Sequence, residues 1–188
     1  MKLALPCVAI LVAVLSGCAS TATRKSSSAA AHSTPSAATH STPSAAAHSQ
    51  LTGKPGQHVT VRTTAYTHSE AGGHKNGIDG RLRFGGKVYS AAADWSWLPL
   101  GTRFRMCCND RTYVIEDYGS ALVGRQTIDL YLPTRPAMRQ WGTRNVEIEI
   151  LEWGSHAMSL KLLQGRQRSP HVRTMVSVLR MKHPPTPH

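Results

Sequence analysis

Three aspartates interrupt otherwise apolar segments, and they are the residues best suited to acid–base chemistry. They are Asp94, Asp117 and Asp129. A charged side chain buried alone is costly, so each of these carboxylates needs a partner if its strand is buried. Carboxylates that converge at strand ends cannot all ionise easily, and the pKa of one of them rises toward the pH at which a general acid works. The alternative for each single aspartate is to cap a turn by accepting hydrogen bonds from backbone N–H groups.

The elements that must position these carboxylates are short segments of alternating hydrophobicity, separated by turns that contain Gly and Pro. His58–Tyr66 alternates in this way and is predicted to be a strand. Residues 67–86 contain six glycines and no periodicity, which predicts a long loop. Further strands are predicted at 87–93, 102–107, 111–116, 126–132 and 145–151. Six short strands with almost no helix among them predict a mainly β fold, a small closed β-barrel.

Two helices are predicted alongside this barrel. Thr134 can cap a short helix over Arg135–Trp141, because Pro136 suits its first turn and Gly142 lies just past its end. A second helix begins at Ser169-Pro170, after which apolar residues recur at i, i+3, i+4 and i+7. These apolar residues are Val172, Met175, Val176 and Leu179. The stripe predicts that this helix packs back on the barrel, with docking on a membrane surface as the alternative.

The N-terminal sequence predicts an export signal. Lys2 precedes an apolar run over residues 3–15, which has signal-peptide length and is too short to span a bilayer. The following Ser16-Gly17-Cys18 resembles the lipobox of bacterial lipoproteins. That resemblance implies cleavage before Cys18 and a lipid anchor on it, and Ala19 at the next position favours the outer membrane, facing the periplasm. An ordinary secretory signal is the alternative.

Low-complexity sequence separates this signal from the predicted barrel. Residues 19–51 are almost all Ala, Ser, Thr, Pro and His, which cannot bury enough apolar surface to fold. An eight-residue repeat begins at His32, His40 and His48; weak metal binding by these histidines is the alternative to a plain spacer. The chain is therefore divided into a signal peptide at 1–17, a disordered tether at 18–57, the barrel at 58–153 and a basic helical extension at 154–188.

The chain is strongly basic, with a formal net charge of +12 from 22 Lys and Arg and 10 Asp and Glu. Removal of residues 1–17 deletes Lys2 alone among the charged residues, which leaves +11. This charge favours an anionic partner. For an exported lipoprotein, the expected partners are the carboxylates of cell-wall peptides and anionic lipid head groups rather than nucleic acid.

Cysteines and histidines of the predicted domain give little sign of a metal or cofactor site. Cys107 and Cys108 are adjacent, and neighbours on an alternating strand point to opposite faces, so one inward and one outward thiol is expected. Neither this pair nor His68 with His74 has the ligand spacing of a zinc site. No metal and no cofactor are predicted.

The motifs around the aspartates resemble, in order, those of the 3D domain, a family named for three aspartates. The matching segments are Thr64-Ala65-Tyr66, Ala92-Ala93-Asp94, Leu98-Pro99-Leu100-Gly101-Thr102, Glu116-Asp117-Tyr118-Gly119, Ile128-Asp129-Leu130-Tyr131 and Trp141-Gly142. The resemblance covers roughly residues 59–152. It implies a six-stranded double-psi β-barrel, which the family shares with the C-terminal part of membrane-bound lytic transglycosylase A and which is similar to rare lipoprotein A.

The same resemblance implies a function in cell-wall turnover. The relatives cleave the glycan strands of peptidoglycan as lytic transglycosylases, with one carboxyl group that serves first as acid and then as base. By motif position Asp117 is that group, and Asp129 and Asp94 keep its pKa high and orient it or the sugar. Tyr66, Tyr118 and Glu70 are the expected substrate-binding residues. The alternative is a barrel that binds wall polymers without cutting them.

Overall fold

The computed structural model describes residues 51–70 and 73–183. The predicted signal peptide, Cys18 and most of the predicted tether lie outside the described residues, as do residues 184–188. Within the described ranges, no helix has the length and apolar character needed to cross a bilayer.

Six strands close into a barrel, as the sequence predicts. The strands are β1 (His58–Tyr66), β2 (Tyr89–Ala92), β3 (Arg103–Met106), β4 (Thr112–Asp117), β5 (Thr127–Tyr131) and β6 (Arg144–Glu152). Around the barrel their order is β1-β5-β2-β4-β3-β6. The β1–β5 and β2–β4 pairs are parallel, whereas the other four pairs are antiparallel. This mixed, closed sheet fits the expected double-psi barrel.

Alternation along the strands fills the barrel. β3 and the middle of β6 alternate exposed and buried residues, so that one face of each strand meets solvent and the other the core. Phe104 and Tyr113 stack inside, with ring centroids 5.5 Å apart. Because each of these six strands pairs on both sides, the barrel they form leaves no strand edge to attract another chain.

Three α-helices accompany the barrel in the part of the chain that the structure describes. Helix α1 (Arg135–Trp141) has the predicted bounds, and the Thr134 hydroxyl accepts a hydrogen bond from the Ala137 N–H. Helices α2 (His156–Gln164) and α3 (Pro170–Lys182) form the C-terminal extension. The apolar stripe predicted for α3 is buried and joins the barrel residues in one hydrophobic cluster, which confirms that α3 packs on the barrel.

The prediction of one inward and one outward thiol was wrong. Both Cys107 and Cys108 are exposed. Strand β3 ends at Met106, and the two cysteines lie in the turn that follows, where the alternation of a strand no longer applies.

Candidate active site at the carboxylate pair beside Ala92

Asp117 and Asp129 lie on the two strands that flank Ala92. Ala92 pairs with Asp117 of β4 on one side and with Asp129 of β5 on the other. Paired residues project from the same face of a sheet, and two inter-strand spacings of about 4.8 Å place the two aspartate backbones about 10 Å apart. On the intervening strand β2, the residue paired with both is Ala92, whose side chain is small. The structure therefore brings two of the three predicted aspartates, Asp117 and Asp129, to one place on the barrel, here called the carboxylate patch.

A β-bulge in β4 sets this alignment. Ala91 pairs with Ile115, but the next residue, Ala92, pairs with Asp117, so Glu116 is the extra residue of β4. Without the bulge Ala92 would pair with Glu116, and Asp117 would lie one position farther along the strand. The bulge thus carries Asp117 into line with Asp129.

Asp129 is a largely buried carboxyl group beside a single hydroxyl donor. Its ladder partner on β1, Thr64, donates from Oγ1 to Asp129 Oδ1 at 2.7 Å. Burial raises the pKa of Asp129 to about 6; the Thr64 hydrogen bond lowers it, and the charges of Glu70 and Asp117 raise it. A carboxyl group that is half protonated near pH 6 can deliver a proton under mildly acidic to neutral conditions.

Asp117 has more donors around it. The Tyr66 hydroxyl donates to its Oδ2 at 3.0 Å, and the Tyr118 backbone N–H donates to its Oδ1 at 2.9 Å. Burial raises the pKa of Asp117, while these two hydrogen bonds and one from the Gly77 backbone N–H lower it. Burial and the Asp117 charge raise the pKa of the Tyr66 phenol far above its usual range, so Tyr66 stays protonated as a donor.

The bulge residue, Glu116, is a buried acid that sequence analysis assigned no role. Its side chain is 2% exposed; it accepts a hydrogen bond from the Ser90 hydroxyl and forms an ion pair with the guanidinium of Arg83. The Arg83 backbone N–H in turn donates to Ser90 Oγ at 2.7 Å. The signal that could have found Glu116 is the one used for the aspartates, a charge within an apolar strand.

Asp94 takes the alternative expected of an aspartate beside a turn. It is buried, and its Oδ1 accepts hydrogen bonds from the backbone N–H and the hydroxyl of Ser96. Its Oδ2 accepts from the Gly124 backbone N–H at 2.8 Å. Asp94 therefore ties the turn after β2 to the loop between β4 and β5, the loop that leads from Asp117 to Asp129.

The loop over residues 74–82 covers one side of Asp117. Asn76 organises it, because its Oδ1 accepts the N–H groups of Ile78 and Gly80. Gly77 is buried against the Tyr118 ring, so closely that a Cβ at this position would lie 2.9 Å from Tyr118 Cδ1. This close packing places the Gly77 backbone N–H where it donates to the Asp117 carboxylate.

The C-terminal extension holds this loop in place through Arg166, which follows α2. The guanidinium donates to the Gly77 carbonyl, to Asp79 Oδ2 at 3.1 Å and to the Tyr118 hydroxyl at 3.4 Å. Tyr118 is thus engaged by the extension and by Trp95, whose ring centroid is 4.8 Å away. Its ring packs under the loop rather than standing free in the patch.

Glu70, the last of the predicted site residues, is exposed. Its Oε2 accepts the Thr67 backbone N–H at 3.3 Å, and its charge raises the pKa of Asp129.

Aromatic side chains border the carboxylate patch. The rings of Tyr66 and Tyr131 are 5.7 Å apart, and Phe84, 44% exposed, meets Tyr131 edge-on at 6.5 Å. Such rings can stack on sugars.

Comparison with known proteins gives a family match for part of the barrel. Residues 89–152 match the model of the 3D domain family. The chain is also similar to YabE of Bacillus subtilis (strain 168), which is named as a candidate cell wall shaping protein, with 35% identity over 100 residues. That similarity covers 51% of this chain and 23% of YabE, so the chain spans less than a quarter of that relative.

Proposed function

We propose, from the match of residues 89–152 to the 3D domain family, that the protein acts on peptidoglycan and cleaves its glycan strands as a lytic transglycosylase. The observation that carries the proposal is the pair of largely buried carboxyl groups beside Ala92, both with raised pKa. The similarity to a protein named for cell wall shaping supports the substrate class.

The reaction needs one proton that leaves the protein and returns. A carboxylic acid protonates the glycosidic oxygen between N-acetylmuramic acid and N-acetylglucosamine, and the bond from the muramic acid C1 to that oxygen breaks. The C6 hydroxyl of the same muramic acid then bonds to C1, and its proton passes to the carboxylate, which restores the acid. The product is a 1,6-anhydro ring, and neither water nor a protein nucleophile takes part.

Within the pair, the surroundings favour Asp129 as the proton carrier. Asp129 accepts one side-chain hydrogen bond and has a pKa of about 6, whereas the hydrogen bonds from Tyr66, Tyr118 and Gly77 favour the ionised form of Asp117. Motif position assigned the acid/base role to Asp117. We assign Asp117 the second role: its charge raises the pKa of Asp129, and it would stabilise positive charge on the sugar ring in the transition state.

The other predicted site residues support the pair. Asp94 is a positioning residue, since its carboxylate fixes the loop between the two aspartates. Tyr66 orients Asp117, and with Phe84 it offers ring faces to the glycan. Glu70 keeps the pKa of Asp129 high by charge. Tyr118 holds Asp117 through its backbone and belongs to the wall of the site.

We further propose that the protein works from the outer membrane, anchored at Cys18 and facing the periplasm. The polar tether would let the barrel reach the wall, and the net positive charge would favour the carboxylates of stem peptides.

The experiment is digestion of purified peptidoglycan, both intact and stripped of stem peptides, with mass spectrometry of the released fragments. Wild type is compared with Asp117→Asn and Asp129→Asn, and with Asp110→Asn as the control for loss of an exposed carboxylate. We expect fragments lighter by one water than hydrolytic ones, released by wild type and the control and by neither site variant. Reducing ends would identify a hydrolase, and sedimentation with the wall without any release would identify a binding protein on the same barrel.

A further inference from the structure

A second cluster of functional side chains lies outside the carboxylate patch, on strands β1 and β6 and the turn after β3. It consists of His58, Cys107 and Glu147, one donor atom from each lying within 4.8 Å of the others. Among the residues that the structure describes, this is the one group of three or more His, Cys, Asp or Glu side chains with such spacing. The carboxylate patch does not use it.

One nitrogen of His58 lies close to the donor atoms of both other residues. His58 Nδ1 lies 3.0 Å from Glu147 Oε1 and 3.9 Å from Cys107 Sγ, so the same ring nitrogen faces both partners. A tetrahedral zinc ion with bonds of about 2.0–2.3 Å separates its ligand atoms by about 3.3–3.7 Å. The observed separations bracket this range, and small side-chain rotations meet it.

The backbone under the cluster is fixed by the barrel. Strand β6 lies between β1 and β3, and Thr60 and Glu147 are ladder partners, which places His58 diagonally across from Glu147. The Cys107 backbone N–H donates to the Glu147 carbonyl at 3.0 Å, which seats the thiol opposite the carboxylate. All three side chains are exposed, so an ion can enter without rearrangement of the fold.

The arrangement suits a metal better than covalent chemistry. In a catalytic cysteine–histidine site the imidazole uses one nitrogen for the thiol and the other for an orienting acid. Here a single nitrogen, Nδ1, faces both groups. The neighbouring acid, Glu149, is engaged by Arg105, which leaves Glu147 as the carboxylate that completes the set.

We propose that His58, Cys107 and Glu147 form a zinc site with one nitrogen, one sulfur and one oxygen ligand, and water in the fourth position. Thiolate, imidazole and carboxylate are the ligands that zinc takes in proteins. Zinc displaces the proton on the thiol and replaces the hydrogen bond between His58 and Glu147. The ion would link β1, β6 and the turn that follows β3.

The test uses Co²⁺ as a spectroscopic substitute for zinc on the full chain. Thiolate-bound Co²⁺ shows a charge-transfer band in the near ultraviolet, and added Zn²⁺ should abolish it. The variants are Cys107→Ser and, as the matched control, Cys108→Ser, which removes the adjacent exposed thiol. Every other thiol and histidine of the protein, including the histidines of residues 32–48, is common to both variants, so the difference between the two reports on Cys107.

We expect the band in wild type and Cys108→Ser, its loss in Cys107→Ser, and at least a tenfold weaker zinc affinity in Glu147→Gln. Circular dichroism before titration verifies that each variant is folded. Absence of the band in wild type, its survival in Cys107→Ser, or its loss in Cys108→Ser would each overturn the assignment. None of these outcomes depends on peptidoglycan cleavage, so the site and the proposed function stand or fall separately.

Discussion

Asparagine in place of Asp129 should stabilise the protein at neutral pH. The folded protein holds this carboxyl group at a pKa of about 6, against about 3.9 in an unfolded chain. Because the folded state binds the proton more tightly, the contribution of Asp129 to stability is greatest below about pH 4. It is lost as the pH rises through about 6.

The difference between the two pKa values corresponds to about 3 kcal/mol of stability lost by pH 7. The asparagine side chain is neutral at every pH, and its amide oxygen can still accept the Thr64 hydrogen bond that Asp129 Oδ1 accepts at 2.7 Å. Allowing for solvent that reaches the partly exposed site, we expect Asp129→Asn to raise the free energy of unfolding by about 1–3 kcal/mol at pH 7. At pH 4 the gain should vanish, because wild-type Asp129 is then protonated as well.

The measurement is urea unfolding followed by tryptophan fluorescence at several pH values from 4 to 7. Asp110→Asn is the control, since Asp110 is exposed and its backbone has a φ of 55°, which asparagine accepts readily. The reasoning is refuted if Asp129→Asn is less stable than wild type at pH 7, or if its gain is the same at both ends of the range.

Three further predictions concern the site and the anchor. Gly77→Ala should cost about 1–3 kcal/mol of stability and lower cleavage, because the added Cβ would meet the Tyr118 ring. Gly86→Ala is the control and should do neither, since no atom lies within 4 Å of a Cβ at that position. Equal effects of the two substitutions on the melting temperature would contradict the packing argument. Thr64→Val removes a hydrogen bond that lowers the pKa of Asp129, so the alkaline limb of kcat/KM should move up by about 0.5–1 pH units, and an unmoved profile would count against Asp129 as the proton carrier. Cys18→Ser should release the protein from the membrane fraction on centrifugation, and continued sedimentation with membranes would rule out the lipid anchor.

Much of the fold follows from local sequence. The period-two pattern of His58–Tyr66 and the cap at Thr134 both predict elements whose bounds match the structure. The stripe of α3 likewise predicts its buried face. These signals are local because alternation and capping depend on residues a few positions apart.

The site was less predictable, because its geometry depends on pairing between distant strands. The sequence marks Asp117 and Asp129 as unusual, yet only the bulge at Glu116 aligns them across Ala92. Contacts remote in sequence were missed for the same reason, including the 89 residues that separate Arg166 from Gly77. No period or motif encodes such a pairing.

The hydrogen bond from Arg166 to the Gly77 carbonyl also indicates how much of the chain the site needs. The match to the 3D domain stops at residue 152, before α2 begins, and the Lys182 ammonium at the end of α3 donates to the Ser96 carbonyl, in the turn that Asp94 braces. A chain cut at 152 would keep all six strands and both Asp117 and Asp129. It would lose Arg166, which holds the loop beside Asp117 in place. The smallest piece that can be transplanted with its site intact therefore runs through α3, and the recognisable domain is shorter than the part that would have to be moved.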